Sequence, residues 1–291
     1  MAKRQWIVFL AIISGFFCAS SGGGDTGALV IPAVYTEKLD TPDLLQTDPV
    51  AELPGGGVMY CAPVCVSNSF GWLAENGFGG LVAGDDNDRD GQFKTARVLG
   101  SRAFMNTNAN SGTGPADVIK GVVKYLEKSG YDFDLQYQGW RSCPGKYRCG
   151  TSRPSLDWIK RGLVGDSAVW LNIGWYSYNA KKDEYKRQGG HWVTLVGYGI
   201  DAEGNENEDI LIIHDPAARG GEEEDFVELE RIESGKAPGF LFFKRSIKGL
   251  CRVKNGDIVR NSKETAILDG AVVLRMRGRD TRLYVDSGQE E

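Results

Sequence analysis

The sequence predicts an α+β fold. Apolar residues recur at helical spacing in the first half of the chain, and after about residue 168 the pattern becomes extended, dense in β-branched and aromatic residues. Composition agrees: 41% hydrophobic and 25% charged residues with 39 glycines fit a loop-rich globular chain and exclude a disordered, collagenous or coiled-coil one. A formal charge of -5 argues against nucleic acid or an anionic membrane as partner, since neither polyanion is attracted to it.

Lys3 and Arg4 precede the apolar run WIVFLAIISGFF and the small residues CASSGGG, the three-part layout of a secretory signal, taken as residues 1–20. That run is short for a membrane span, so no transmembrane helix is expected after signal removal. Localisation is therefore expected to be secreted or otherwise extracytoplasmic. A lipid-modified Cys18 is disfavoured by the bulky Phe16-Phe17 before it. Residues 21–57, rich in Gly, Pro, Thr and Asp, read as a linker and entry segment.

A helix is predicted over Cys61 to Asn76, with Pro63 tolerated in its first turn. The stretch GDDNDRDGQ reads as a polar loop. Val118, Val122, Val123 and Leu126 place a second helix over Pro115 to Ser129, ended by Gly130. FDLQYQGW reads as a strand, and Ser155 to Leu163 as a third helix with Asp157 in its first turn. Strands follow at Ala168–Tyr176, His191–Ile200 and Asp209–His214, the last two joined as a hairpin by the charged turn Asp201–Asp209. Further strands are expected at Phe226–Leu229, Phe240–Phe243 and Ala271–Met276.

Without the signal the chain keeps five cysteines, an odd number that leaves one thiol unpaired in an oxidising compartment. Cys143 and Cys149 flank a Pro-Gly turn and suit a local disulfide. Pairing Cys65 with Cys251 then leaves Cys61 free, whereas pairing Cys61 with Cys251 leaves Cys65. Cys61 stands at a helix start, where unpaired N–H groups and the helix dipole stabilise a thiolate. A nucleophilic thiol needs a base, and only His191 and His214 exist. His191 follows Gly189-Gly190, whose missing side chains leave the imidazole reachable. Strand alternation sends His214 and Asp215 to opposite faces, so Asp215 is free to orient His191 as a third triad member.

YCAP opening an alcohol- and Asn-containing helix, then GGHWVTLVGYG, then ILIIHDPA resembles the papain-fold cysteine peptidases related to the bacteriocin-processing, double-glycine-leader peptidases. The resemblance runs from Tyr60 to Ala217. It implies a papain-like domain over 58–238 with a carboxy-terminal β-rich extension over 239–291. It makes Cys61 the nucleophile, His191 the base and Asp215 the orienting carboxylate of a peptidase acting on a peptide or protein substrate. It also implies a glutamine shortly before the cysteine to stabilise the oxyanion, and Gly55 to Tyr60 holds none. The rival expectation is a catalytically inactive secreted module that keeps the fold and binds a partner.

Asp86, Asp88 and Asp90 followed by Gly91 match the first half of a calcium loop, but Arg97 stands where a bidentate Glu belongs, which leaves at most a looser calcium site. No other cofactor is expected, and zinc is discounted for want of a Cys-x-x-Cys pair. Trp170, Trp175, Tyr176, Tyr178 and Trp192 read either as a substrate groove or as sheet core.

Overall fold

Four helices and nine strands, almost all antiparallel, make up the α+β fold in the computed structural model, which describes residues 31–84, 88–150, 152–221, 223–238 and 244–279. The signal segment, Asp86 and the strand expected at Phe240–Phe243 lie outside them. The helices are α1 (Cys61–Glu75), α2 (Arg89–Gly100), α3 (Pro115–Ser129) and α4 (Leu156–Leu163). The strands are β1 (Tyr131–Gly139), β2 (Ser167–Asn179), β3 (Glu184–Ile200), β4 (Glu206–His214), β5 (Asp225–Arg231), β6 (Lys236–Pro238), β7 (Lys244–Ser246), β8 (Cys251–Val253) and β9 (Glu264–Arg279). No helix among the described residues is long and apolar enough to cross a membrane.

Strands β2, β3, β4, β5, β8 and β9 pair in succession, and β9 returns to β2, closing a ring. Alternation along each strand divides the side chains between two cores. Val169, Leu171 and Ile173 of β2, Val193 and Leu195 of β3, and Leu211 and Ile213 of β4 fill the barrel. Ala168, Trp170, Trp192, Val272 and Leu274 face the other way and pack with α1 and α3. The barrel interior retains a void of only about 10 Å³.

Thirteen of the fifteen residues of α1 are buried, so the amphipathic stripe the sequence suggests is absent. A helix enclosed on every side has no polar face to show. Its small alcohols serve the interior instead: Ser67 Oγ donates to Gln92 O at 2.6 Å and Ser69 Oγ accepts from Trp170 Nε1 at 3.0 Å.

Three features differ from the sequence reading. GDDNDRDGQ does not stay a loop: α2 begins at Arg89, and Asp88 caps it by accepting from Gly91 N–H at 2.7 Å. Of the extension expected over 239–291, the described residues 244–279 do not stand apart, because β9 lies between β1 and β2 in the same sheet. Residues 31–57 are laid down on the domain, not left as a linker. Tyr35 and Tyr198 exchange backbone hydrogen bonds at 3.0 and 2.9 Å, and the buried Lys38 ammonium donates to Gly165 O at 2.7 Å and Ser167 O at 2.5 Å.

Candidate active site

Cys61 is the first residue of α1, so its N–H lies outside the helical ladder and the positive end of the dipole is at its sulfur. The helix is docked to β3 one turn further on, where Cys65 Sγ contacts Trp192 O at 3.1 Å and Thr194 Oγ1 donates to Cys65 O at 3.2 Å. This fixes Cys61 against the strand that carries His191.

His191 belongs to the barrel-facing series that continues as Val193 and Leu195, and Asp215 continues the series of Leu211 and Ile213. Both side chains therefore meet at the barrel rim. His191 Nε2 is hydrogen-bonded to Asp215 Oδ1, which leaves Nδ1 for the hydrogen bond with the Cys61 thiol. Asp215 is held in turn by Ala217 N–H at 2.9 Å and Arg219 at 2.8 Å. His214 points to the opposite face, buried, where desolvation lowers its pKa and favours the neutral ring. The structure thus brings Cys61, His191 and Asp215 together and sends His214 away.

The electrostatics follow from this packing. Burial pushes the Cys61 thiol up, but the His191 imidazole beside it and the N–H groups of Trp192 and Ala62 outweigh burial and leave it below its ordinary value. Burial likewise lowers His191, yet Asp215 and the Cys61 sulfur raise it to about 9. Burial raises Asp215, and His191 with Arg219 brings it below the usual carboxylate range. These directions favour a thiolate–imidazolium pair. Cys65, with no imidazole partner, is pushed well above the ordinary thiol range by burial.

The imidazole is covered more than the glycine pair suggests, and His191 is 5% exposed. The space a side chain would take at Gly190 is filled by the Arg187 guanidinium, and Trp175 lies against Gly189. Trp175 stacks on His191 at 5.5 Å, donates to Ile258 O at 2.9 Å, and carries Arg260 on its ring at 3.9 Å. Of the aromatic strip, Trp170, Trp175, Tyr176 and Trp192 are buried core and only Tyr178 is exposed.

Gln46 is the residue that sequence reasoning missed. It is buried, its backbone N–H donates to Pro216 O at 2.7 Å, and its side-chain amide donates to Gly57 O at 3.0 Å and Val58 O at 2.8 Å. One residue thereby ties the loop before Cys61 to the segment after Asp215. Gly57 makes this possible: its φ is 76°, and a Cβ there would sit 1.5 Å from Gln46 O. Both amide hydrogens of Gln46 are spent on these carbonyls, so the side chain holds the loop and does not point a donor at the thiol. No local pattern marks this glutamine in the sequence.

One other expectation is corrected. No disulfide joins any of the cysteines from Cys61 to Cys251. Cys65 lies in the helix-side core and Cys251 in the barrel core, with the sheet between them, which rules out the expected bridge. Of the aspartates expected to hold calcium, Asp86 lies outside the described residues, Asp88 spends an oxygen capping α2, and Asp90 sits in the first turn of that helix. Among the described residues no group of three His, Cys, Asp or Glu side chains is placed to hold a metal.

Compared with known proteins, the chain matches no family model and no curated sequence.

Proposed function

We propose that the protein is a secreted thiol hydrolase of the papain-like cysteine peptidase kind, cleaving a peptide or amide bond. The observation that carries this reading is His191, whose Nε2 is bound to a carboxylate while its remaining nitrogen faces a helix-terminal thiol. The Cys61 thiolate attacks the substrate carbonyl carbon, and the oxyanion forms near the N–H of Cys61 at the start of α1. The His191 imidazolium gives its proton to the leaving amine as the carbon–nitrogen bond breaks, leaving a thioester on Cys61. His191, now neutral, takes a proton from water, whose oxygen attacks the thioester, and the returning sulfur regenerates the ion pair. Asp215 holds the ring and stabilises the imidazolium.

The rival reading, an inactive module that binds a partner, draws on one observation: the buried Gln46 spends both amide hydrogens on Gly57 O and Val58 O and offers none to an oxyanion. Alkylation by iodoacetamide separates the two. Cys61 is expected to react fast and already at acidic pH, and His191→Ala is expected to move that reactivity toward the pH of an ordinary thiol, near 8.5. Cys61→Ala is expected to abolish hydrolysis of a peptide library. A Cys61 that reacts no faster than a free thiol overturns the ion pair.

A further inference from the structure

Regular alternation along β3 would send Arg187 into the barrel with His191 and Val193, since residues two apart share a face. It does not go there. Trp175 of β2 stands opposite Gly189 and Tyr176 opposite Arg187, so Gln188 is an extra residue, a bulge that turns Arg187 to the other face. There its guanidinium lies over Gly190, with Nη2 only 1.9 Å from the position a Cβ would take.

Two features fix the guanidinium in place. Gly190 leaves it room, and the fully buried Asp269 accepts from its Nε at 2.8 Å. Asp269 is itself held by Trp140 Nε1 at 2.9 Å and by the Tyr176 hydroxyl at 2.6 Å. A buried carboxylate is costly without its cation, so the pair stays together. Anchoring through Nε turns the Nη edge toward Gly190, which is exposed although His191 beside it is buried, and the Arg187 side chain is 26% exposed. Asp269 already balances the charge. What the edge offers is direction, two nitrogens whose hydrogens lie in one plane.

Gly190 precedes His191, and the Cys61 thiol lies against the N–H of Trp192, the residue after. Two strand residues span about 7 Å, within reach of a side chain on the residue next to the bond that Cys61 attacks. We propose that Arg187 selects substrates with a carboxylate beside the bond cleaved, either an acidic side chain or a chain end, gripped by the two Nη groups. The planar fork matches the two oxygens of a carboxylate. This deepens the thiol hydrolase reading and rests on it.

The first test needs no turnover. Iodoacetate and iodoacetamide differ in a carboxylate against a carboxamide, and the ratio of their rates at Cys61, read by mass spectrometry at fixed ionic strength, reports a carboxylate site beside the thiol. Arg187→Gln is expected to lower that ratio about tenfold, as for the loss of a charged hydrogen bond. Arg187→Lys is expected to fall between, because it keeps the charge and loses the fork. Lys186→Gln, the same change of charge on the exposed neighbouring residue, is expected to leave the ratio unchanged. Since Arg187→Gln strips the buried Asp269 of its cation, Arg187→Gln combined with Asp269→Asn removes both charges and is expected to show the same loss. A ratio that both of these variants leave unchanged overturns the proposal, whether or not any peptide is cleaved. A Cys61 no faster than a free thiol, with the ratio still lowered by Arg187→Gln, counts against the hydrolase and leaves carboxylate recognition standing. The second arm is turnover of a peptide library. Peptides with Asp beside the scissile bond and an amidated end are expected to exceed their Asn counterparts about tenfold in kcat/KM, and Arg187→Gln to remove the preference. A preference found only for peptides with a free end at that place assigns the grip to a chain terminus. Cleavage by the wild type that ignores both carboxylates overturns the proposal and keeps the hydrolase.

Discussion

Gln46 donates to Val58 O and to Gly57 O, which also accepts from Tyr60 N–H at 2.8 Å, so its removal is a test of how the site is positioned. Gln46→Ala is expected to take the side-chain donor from Val58 O and leave Gly57 O with the Tyr60 N–H alone, at a cost of about 1–3 kcal/mol. It is also expected to slow Cys61 alkylation, read by mass spectrometry alongside a denaturant midpoint. Gln46→Glu is expected to be worse, because a carboxylate cannot donate to either carbonyl. Asn68 is the contrasting case. It is fully buried on α1, and among the described residues neither its amide nitrogen nor its oxygen has a partner. Asn68→Leu is expected to raise unfolding free energy by about 1–2 kcal/mol, since two unsatisfied polar groups are removed. A lower urea midpoint in that variant refutes this account.

At the scale of elements, α1 and the loop before it decide the chemistry. Tyr60, just ahead of Cys61, packs on Gly100 of α2, where a Cβ would lie 2.3 Å from the ring. Gly57→Ala meets both a left-handed φ and a backbone collision, and is expected to reduce soluble, folded protein more than Gly55→Ala, whose Cβ meets nothing within 4 Å. Thermal midpoints of the two variants check this. Helix α2 escaped the sequence reading because its apolar residues are sparse and its start is acidic. Asp88 as a cap and Asp90 in the first turn are signals of a helix amino terminus, and the same acids mimic a calcium loop. Strand β3 begins at Glu184, earlier than its apolar run suggests, because its polar first half is held by pairing with β2.

Across the whole molecule, buried titratable groups set the pH dependence of stability. His191 is raised to about 9, so the folded state holds a proton the unfolded chain has lost; the stability this contributes is complete below about 6.5 and is lost as pH rises through about 9. Asp215 is depressed, so its contribution is present above the ordinary carboxylate value and is lost as pH falls through its folded pKa. Lys38 works the other way. Burial lowers it to about 7, so between about 7 and 10.4 the unfolded chain binds the extra proton and stability rises with pH. The unfolding free energy of the wild type minus that of Lys38→Met is therefore expected to grow across that window. A flat or falling difference removes Lys38 from the account.

Much of the candidate site is legible in the sequence because its reasons are local. A cysteine at a helix start, a histidine at the head of an apolar strand and an aspartate after a second strand are each marked by periodicity. Strand alternation alone prefers His191 to His214, since residues two apart share a face. The rest depends on contacts that periodicity does not encode. Gln46 meets Pro216 across the molecule, β9 enters the sheet beside β2 from the far end of the chain, and Cys65 is parted from Cys251 by the sheet itself. The sequence by itself determined which residues carry reactive groups and which face of a strand each takes. Only the tertiary structure decided what covers the imidazole, what holds the loop before the thiol, and which cysteines stay apart. Those outcomes rest on single side chains meeting backbone far away in sequence, and such meetings leave no repeat for a linear pattern to reveal.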